Sequence, residues 1–270
     1  MAMNIFEYYG IKEVANVYFE ALYDETPGLS DTPYNKGDIV LYLDTLKVST
    51  VETTAENVSA QGGWGNPKLI TWDYGKDINV TLEDAVVSFE ELRTMLGASL
   101  HNASENRKVT VRMNGEYKLT DDGLKSVKLD DKDQHIDPKP KADTTIRYID
   151  RVHGTRGQAE SLADVPTTGL AKDDRVILFW EEERDGSADN EAVELVISPD
   201  TYPGTYRVVG DALIRNKDGK DEAFQFVINK AKMLSEVTLT MQAEGDPSTF
   251  NMTLNVLRDD NGDMMSLIKY

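Results

Sequence analysis

Three histidines, a few acidic runs and two tryptophans on either side of a turn are the side chains whose types could do chemistry in this 270-residue chain. His101, His135 and His153 stand apart. None has a second His or a Glu at the spacing of an HExxH helix, so each reads as a surface histidine. Asp259-Asp260-Asn261-Gly262-Asp263 opens like a calcium loop, but the twelfth place, where a bidentate Glu is needed, is Tyr270. Asn261-Gly262 is better suited to a tight hairpin turn. Glu181-Glu182-Glu183 and Asp130-Asp131 could offer paired carboxylates. Neighbours along a strand point to opposite faces, however, so these runs read as solvated. Trp64 and Trp72 could form a sugar-binding platform, with core packing and loop anchoring as the alternative.

No G-x-S-x-G elbow occurs. Gly154-x-x-Gly157 lacks the Lys-Ser/Thr of a phosphate loop, and Gly62-Gly63-x-Gly65 opens no helix. Cysteine is absent, which excludes disulfides, thiolate zinc sites and thiol nucleophiles. The chain offers no catalytic set, no metal site and no cofactor motif, and enzyme is the weaker class. With 48 acidic and 29 basic residues the net charge is −19. That balance argues against a phosphate-gripping groove and against docking on anionic membrane. It leaves room for a surface past which nucleic acid slides. No apolar run is long enough for a membrane span. The N-terminus lacks the basic and apolar regions of a secretory signal.

The elements that would position these side chains are strands. Phe250, Met252, Leu254 and Val256 alternate with Asn251, Thr253 and Asn255. Ile78, Val80 and Leu82 alternate with Asn79, Thr81 and Glu83, and the stretches 224–229 and 237–242 behave likewise. This period of two predicts half-buried strands. Further strands are predicted at 38–43, 46–58, 68–74, 108–113, 144–148, 175–181, 192–197 and 205–209. Asp218-Gly219 and Asn261-Gly262 suit tight turns. Ser88 and Glu91 form a capping box for one short helix. It carries an apolar stripe of Phe89, Leu92, Met95 and Leu96 and ends at Gly97. The charge-dense Leu119–Lys141, broken by Pro138 and Pro140, and the stretch Arg151–Thr168 read as loose. The organisation expected is a main β domain from 1–104 plus 191–270, with a small inserted β domain at 105–190.

Short phrases then carry a resemblance. They are Asp44-Thr-Leu-Lys47, Gly62-Gly-Trp-Gly-Asn-Pro-Lys-Leu69, Asp77-Ile-Asn-Val-Thr-Leu-Glu-Asp-Ala85, Pro203-Gly-Thr-Tyr-Arg-Val-Val-Gly-Asp211, Phe224-Gln-Phe-Val-Ile-Asn-Lys-Ala-Lys232 and Ala243-Glu-Gly-Asp-Pro-Ser-Thr-Phe250. Together they resemble structural proteins of tailed-bacteriophage virions, most closely tail tube proteins, over about 40–100 and 200–270. The resemblance implies a mainly β fold: a tail-tube-like sandwich that forms a barrel with its neighbours, with one flanking helix. It implies stacked hexameric rings, other tail proteins as partners and DNA passing through without specific binding. Location in the virion tail after assembly in host cytoplasm follows from it. The stretch 105–190 matches nothing in that pattern and reads as an outward decoration.

On this resemblance the strand Leu69–Glu83 lines the bore, with Asp73, Asp77, Asn79, Thr81 and Glu83 on one face. Thr238, Thr240, Gln242, Asn251, Thr253 and Asn255 line it from the C-terminal pair. Glu52 and Glu56 share one face of 46–58 and are candidates too, although Val48 and Val58 lie on that same face. An ordinary solvated sheet face is the alternative for all of them. The hairpin loop Gly62, Gly63, Trp64, Gly65, Asn66 and Pro67 would reach along the tube to the next ring. Competing readings are a head, decoration or baseplate protein, a carbohydrate-binding β module using Trp64 and Trp72, and, least supported, a carboxylate-pair hydrolase.

Overall fold

The computed structural model of the chain describes residues 8–11, 14–26, 29–129, 134–188, 190–237 and 249–270. In chain order the strands are β1 (Tyr9–Ile11), β2 (Asn16–Ala21), β3 (Ile39–Leu43), β4 (Leu46–Gln61), β5 (Lys68–Asp84), β6 (Ser99–Asn102), β7 (Val109–Thr120), β8 (Gly123–Ser126), β9 (Ile146–Asp150), β10 (Arg156–Ala159), β11 (Arg175–Arg184), β12 (Val193–Val196), β13 (Thr205–Asn216), β14 (Asp221–Met233), β15 (Phe250–Val256) and β16 (Ser266–Lys269). Helix α1 (Phe89–Leu96) follows β5, and a 3-10 turn spans Leu162–Asp164. The fold is mainly β, as the period-two pattern predicts. Two compact units form, one from 1–100 with 195–270 and the other from 101–194. A short ribbon pairs β6 with β12.

In the first unit one antiparallel sheet runs in the order β3-β2-β13-β14-β15-β5-β4, with β1 beside β13 and β16 beside β14. Its core is one face of alternating strands. Val17 and Phe19 of β2, Val80 and Leu82 of β5, Ile228 of β14 and Leu254 of β15 are fully buried. Leu254 lies opposite Val80 on one side and Met233 on the other. Each such side chain contributes roughly 1.5–3 kcal/mol through burial. Gly219 turns the β13–β14 hairpin at φ 81°, and Gly262 turns the loop after β15 at φ 98°.

Helix α1 starts and stops where its sequence indicates. Ser88 Oγ accepts from the Glu91 amide, and Glu91 reaches back to the Ser88 amide. Gly97 ends the helix in the left-handed region, and a Cβ there would meet the Tyr202 carbonyl carbon at 2.2 Å. Its buried stripe differs from the expected one. Arg93, Thr94 and Met95 are buried, whereas Phe89 is exposed. Arg93 tolerates burial because its guanidinium pairs with Glu25 and Glu90 and lies 5.5 Å over the Tyr34 ring. The compensation of a buried cation is invisible to a hydrophobic pattern.

The second unit is a five-stranded antiparallel sheet in the order β10-β9-β11-β7-β8. Its core gathers Tyr117, Leu124, Ile146, Val176, Leu178 and Trp180. Burial raises the Tyr117 phenol, whose hydroxyl donates to the Ile136 carbonyl at 2.7 Å. Several sequence expectations change here. The end of β7, with β8, occupies part of the supposedly loose Leu119–Lys141, and β10 lies within Arg151–Thr168. Glu182 is not solvated: it is buried, accepting from Trp180 Nε1 at 2.6 Å and from Arg184 at 2.8 Å. His101 is buried rather than superficial. His135 and His153 are exposed.

Candidate functional site

Three strands at one end of the large sheet carry the predicted polar residues. In β5, Ile78, Val80, Leu82 and Asp84 turn into the core, so Asp77, Asn79, Thr81 and Glu83 occupy the opposite face. The register brings matching rows from both neighbours. Asn251, Thr253 and Asn255 of β15 lie opposite Glu83, Thr81 and Asn79. Val48, Thr50, Glu52 and Thr54 of β4 lie opposite Glu83, Thr81, Asn79 and Asp77. Opposed residues share a face. The result is a continuous polar patch backed by the core.

Its centre is cross-linked by amides. Asn255 Nδ2 donates to Asp77 Oδ1 at 2.8 Å and to Asn79 Oδ1 at 3.0 Å, while Asn79 Nδ2 donates to Asp77 Oδ2 at 3.1 Å. The Asn79 and Asn255 amides held this way have their donors bound within the patch. A single cation borders the patch among the strand residues paired with it: Lys232 lies opposite Asn255, and its Nζ donates to the Pro203 carbonyl.

Asp73 is not on this face. Between the pairs Thr54–Asp77 and Glu56–Tyr74, β5 spends one more residue than β4, a bulge that includes Gly75 at φ 60°. An extra residue in one strand reverses which alternate positions face a given side. Beyond the bulge, Tyr74, Trp72 and Ile70 therefore continue the Asp77 face, opposite Glu56, Val58 and Ala60. Asp73 and Thr71 take the other row, opposite Asn57 and Ser59. Strict alternation read through Gly75 gives the wrong side. Glu52 and Glu56 do share a face with Val48 and Val58.

The outer half of the β4–β5 hairpin has no support from the rest of the described chain. Every residue from Lys68 to Lys76 is exposed, with Ile70, Trp72 and Tyr74 each about half accessible. Its tip is a tight turn in which the Gly62 amide donates to the Pro67 carbonyl at 3.2 Å and the Asn66 amide to the Gly63 carbonyl at 3.1 Å. Trp64 is fully exposed there. Thr238, Thr240 and Gln242 lie outside the described residues.

The two outermost strands of the sheet path, β3 and β4, each have a ladder partner on one side only among the described strands. A feature missed from sequence is Asp84, fully buried at the end of the β5 core row. Its Oδ1 accepts from Thr45 Oγ1 at 2.6 Å and the Val86 amide at 3.3 Å, and its Oδ2 has no partner. The only prior signal was its even-numbered place after Ile78, Val80 and Leu82. Asp259 caps its own turn by accepting from the Asn261 and Asp263 amides, which holds its carboxyl below the usual range. Among the described residues no cluster of acidic or histidine side chains could hold a metal ion, and no helix is long and apolar enough to cross a membrane.

The polar patch thus lies beside strands that have a free edge among the described residues. Residues 9–267 match the model of the YomU/Tube protein family, and the chain belongs to that family. It is a phage tail tube-like protein and a component of the virion tail. No curated protein matches it.

Proposed function

We propose that copies of this chain close into hexameric rings through β3 and β4, and that the rings stack into a tube that conducts DNA. The observation that carries this reading is β4: sixteen residues of strand with one side free among the described strands, next to the polar face of β5 and β15. An unpaired edge of that length invites another strand, and ring closure through neighbouring copies removes it. Closure by β4 sets Asp77, Asn79, Thr81, Glu83, Asn251, Thr253, Asn255 and Glu52 on the inner wall. That wall suits passage of a polyanion. A lysine lining would add phosphate contacts whose combined strength holds DNA in place. Acidic groups act within a Debye length of about 8 Å at physiological salt, so their repulsion matters only in a close bore.

Asp73 leaves this set, because the bulge turns it away. Glu56 leaves it as well, since its row beyond Gly75 is aromatic and aliphatic. The outer half of the hairpin, with Val58, Ile70, Trp72 and Tyr74, makes the contact to the next ring, led by the Gly62–Pro67 turn. Subunits assemble in the host cytoplasm. Negative-stain microscopy of the purified protein tests the reading: rings or tubes are expected, and particles that stay monomeric across concentration and salt would refute it.

A further inference from the structure

One face of the five-stranded sheet packs the core of its unit, and on the other face Arg147, Arg156 and Gln158 are exposed. On it the register sets two parallel rows. Gln158, Arg147, Phe179 and Asn114 lie side by side across β10, β9, β11 and β7, and Arg156, Ile149, Ile177 and Glu116 form the row beside them. A shallow groove of about 470 Å³ runs along Arg147, Ile149, Arg156, Gln158 and Phe179.

Arg147 and Arg156 are diagonal neighbours on adjacent strands, roughly 7–8 Å apart at the backbone. Both are exposed, and neither side chain has an ion-pair or hydrogen-bond partner among the described residues. Like charges so placed repel unless an anion sits between them. The same sheet shows the arrangement completed. Glu116 accepts from Arg151 at 2.9 Å with one oxygen and from Arg175 at 3.0 Å with the other. Arg147 and Arg156 bring two guanidinium groups together on one face, with no carboxylate between them among the described residues. Ile149 and Phe179 line the groove beside them, and apolar surface there strengthens a charge-assisted bond once a docked partner excludes water.

The geometry points to this face as a docking surface for an acidic segment of another copy of the same chain. The inference rests on the assembly proposed above. Charge complementarity names the occupant: residues 1–100 and 195–270 hold 27 acidic against 14 basic side chains, so each copy presents its neighbours with a surplus of carboxylates. Guanidinium forks bind carboxylates with two parallel hydrogen bonds, which a lysine pair would not reproduce.

The test uses the full-length protein with Arg147→Glu plus Arg156→Glu and, separately, Arg147→Gln plus Arg156→Gln. Sedimentation velocity over a salt series reads assembly, and circular dichroism checks the fold. A charge-assisted hydrogen bond contributes about tenfold in an equilibrium constant. The Gln variant should therefore need about tenfold or more protein to assemble at low salt, the Glu variant more still, and the gap to the wild type should close as salt rises. Variants that assemble like the wild type at every salt overturn this docking surface and leave the tube reading intact. Loss of heparin binding in variants that still assemble normally assigns the face to an anionic glycan and also overturns it. A wild type that never assembles removes both proposals.

Discussion

Exchanging Trp72 and Asp73 tests the bulge and the ring-to-ring contact together. The variant Trp72→Asp with Asp73→Trp keeps composition, charge and hairpin length. It moves the indole from the Asp77 side of the hairpin to the opposite side. Trp72 is 52% exposed and Tyr74 54%. About half of the roughly 150–250 Å² that an aromatic side chain can bury is thus open, near 100 Å² each. At ~25 cal/mol per Å² this is about 2.5 kcal/mol per ring if a partner covers it fully. Moving Trp72 alone should cost a contact about 2.5 kcal/mol, and a carboxylate in its place adds about 1–3 kcal/mol of desolvation. Together, at about 3.5 kcal/mol or more, these weaken each contact at least about three-hundredfold, since 1.4 kcal/mol is a factor of ten. The subunit itself should fold unchanged, because no residue from Lys68 to Lys76 is buried. Sedimentation velocity and microscopy read assembly, and indole fluorescence reads burial of the ring. Assembly of the exchanged variant at the wild-type concentration would show that the face assignment beyond Gly75 is wrong.

Other outcomes follow from the same geometry. Asp77→Lys with Glu83→Lys should leave assembly in place and slow DNA ejection from particles carrying it; normal ejection kinetics would remove these residues from the inner wall. Arg93→Ala strands the Glu25 carboxylate, whose side chain is 5% exposed, and should lower unfolding free energy by about 3–5 kcal/mol in urea titrations. Replacing both partners with apolar residues should recover most of that loss, and no recovery would mean the effect lies in packing. Leu254→Ala, in the middle of the core, should cost about 2–5 kcal/mol by the same assay. Asp185 is held from 3.8 down to about 2 by hydrogen bonds from Ser187 and Asn190. A lowered acid stabilises the fold above its unfolded pKa and loses that contribution as pH falls, here from about 4 to about 2. Asp185→Ala should flatten this part of the pH-dependent melting curve.

The alternation of β5 and β15 was legible because a half-buried strand must separate its apolar and polar residues with a period of two. That alone grouped Asp77, Asn79, Thr81 and Glu83, and separately Asn251, Thr253 and Asn255. The ends of α1 were legible for a similar reason, since the capping box at Ser88 and the glycine at 97 act on neighbouring backbone. What the sequence determined by itself is therefore local: strand periods, caps, turns and the overall surplus of negative charge. The tertiary structure decided which rows meet. Pairing placed β15 beside β5 and aligned Asn255 with Asn79, a contact across 176 positions that no spacing reveals. A single extra residue at Gly75 reversed the facing of Asp73 and Trp72, because strand parity is set by the partner's register and not by the chain's own numbering. Burial of Arg93 and Asp84 likewise depended on partners brought from elsewhere in the fold, Glu25 and Thr45. Polar side chains enter a protein interior when something there answers their charge or hydrogen bonds, and that is fixed by folding in three dimensions.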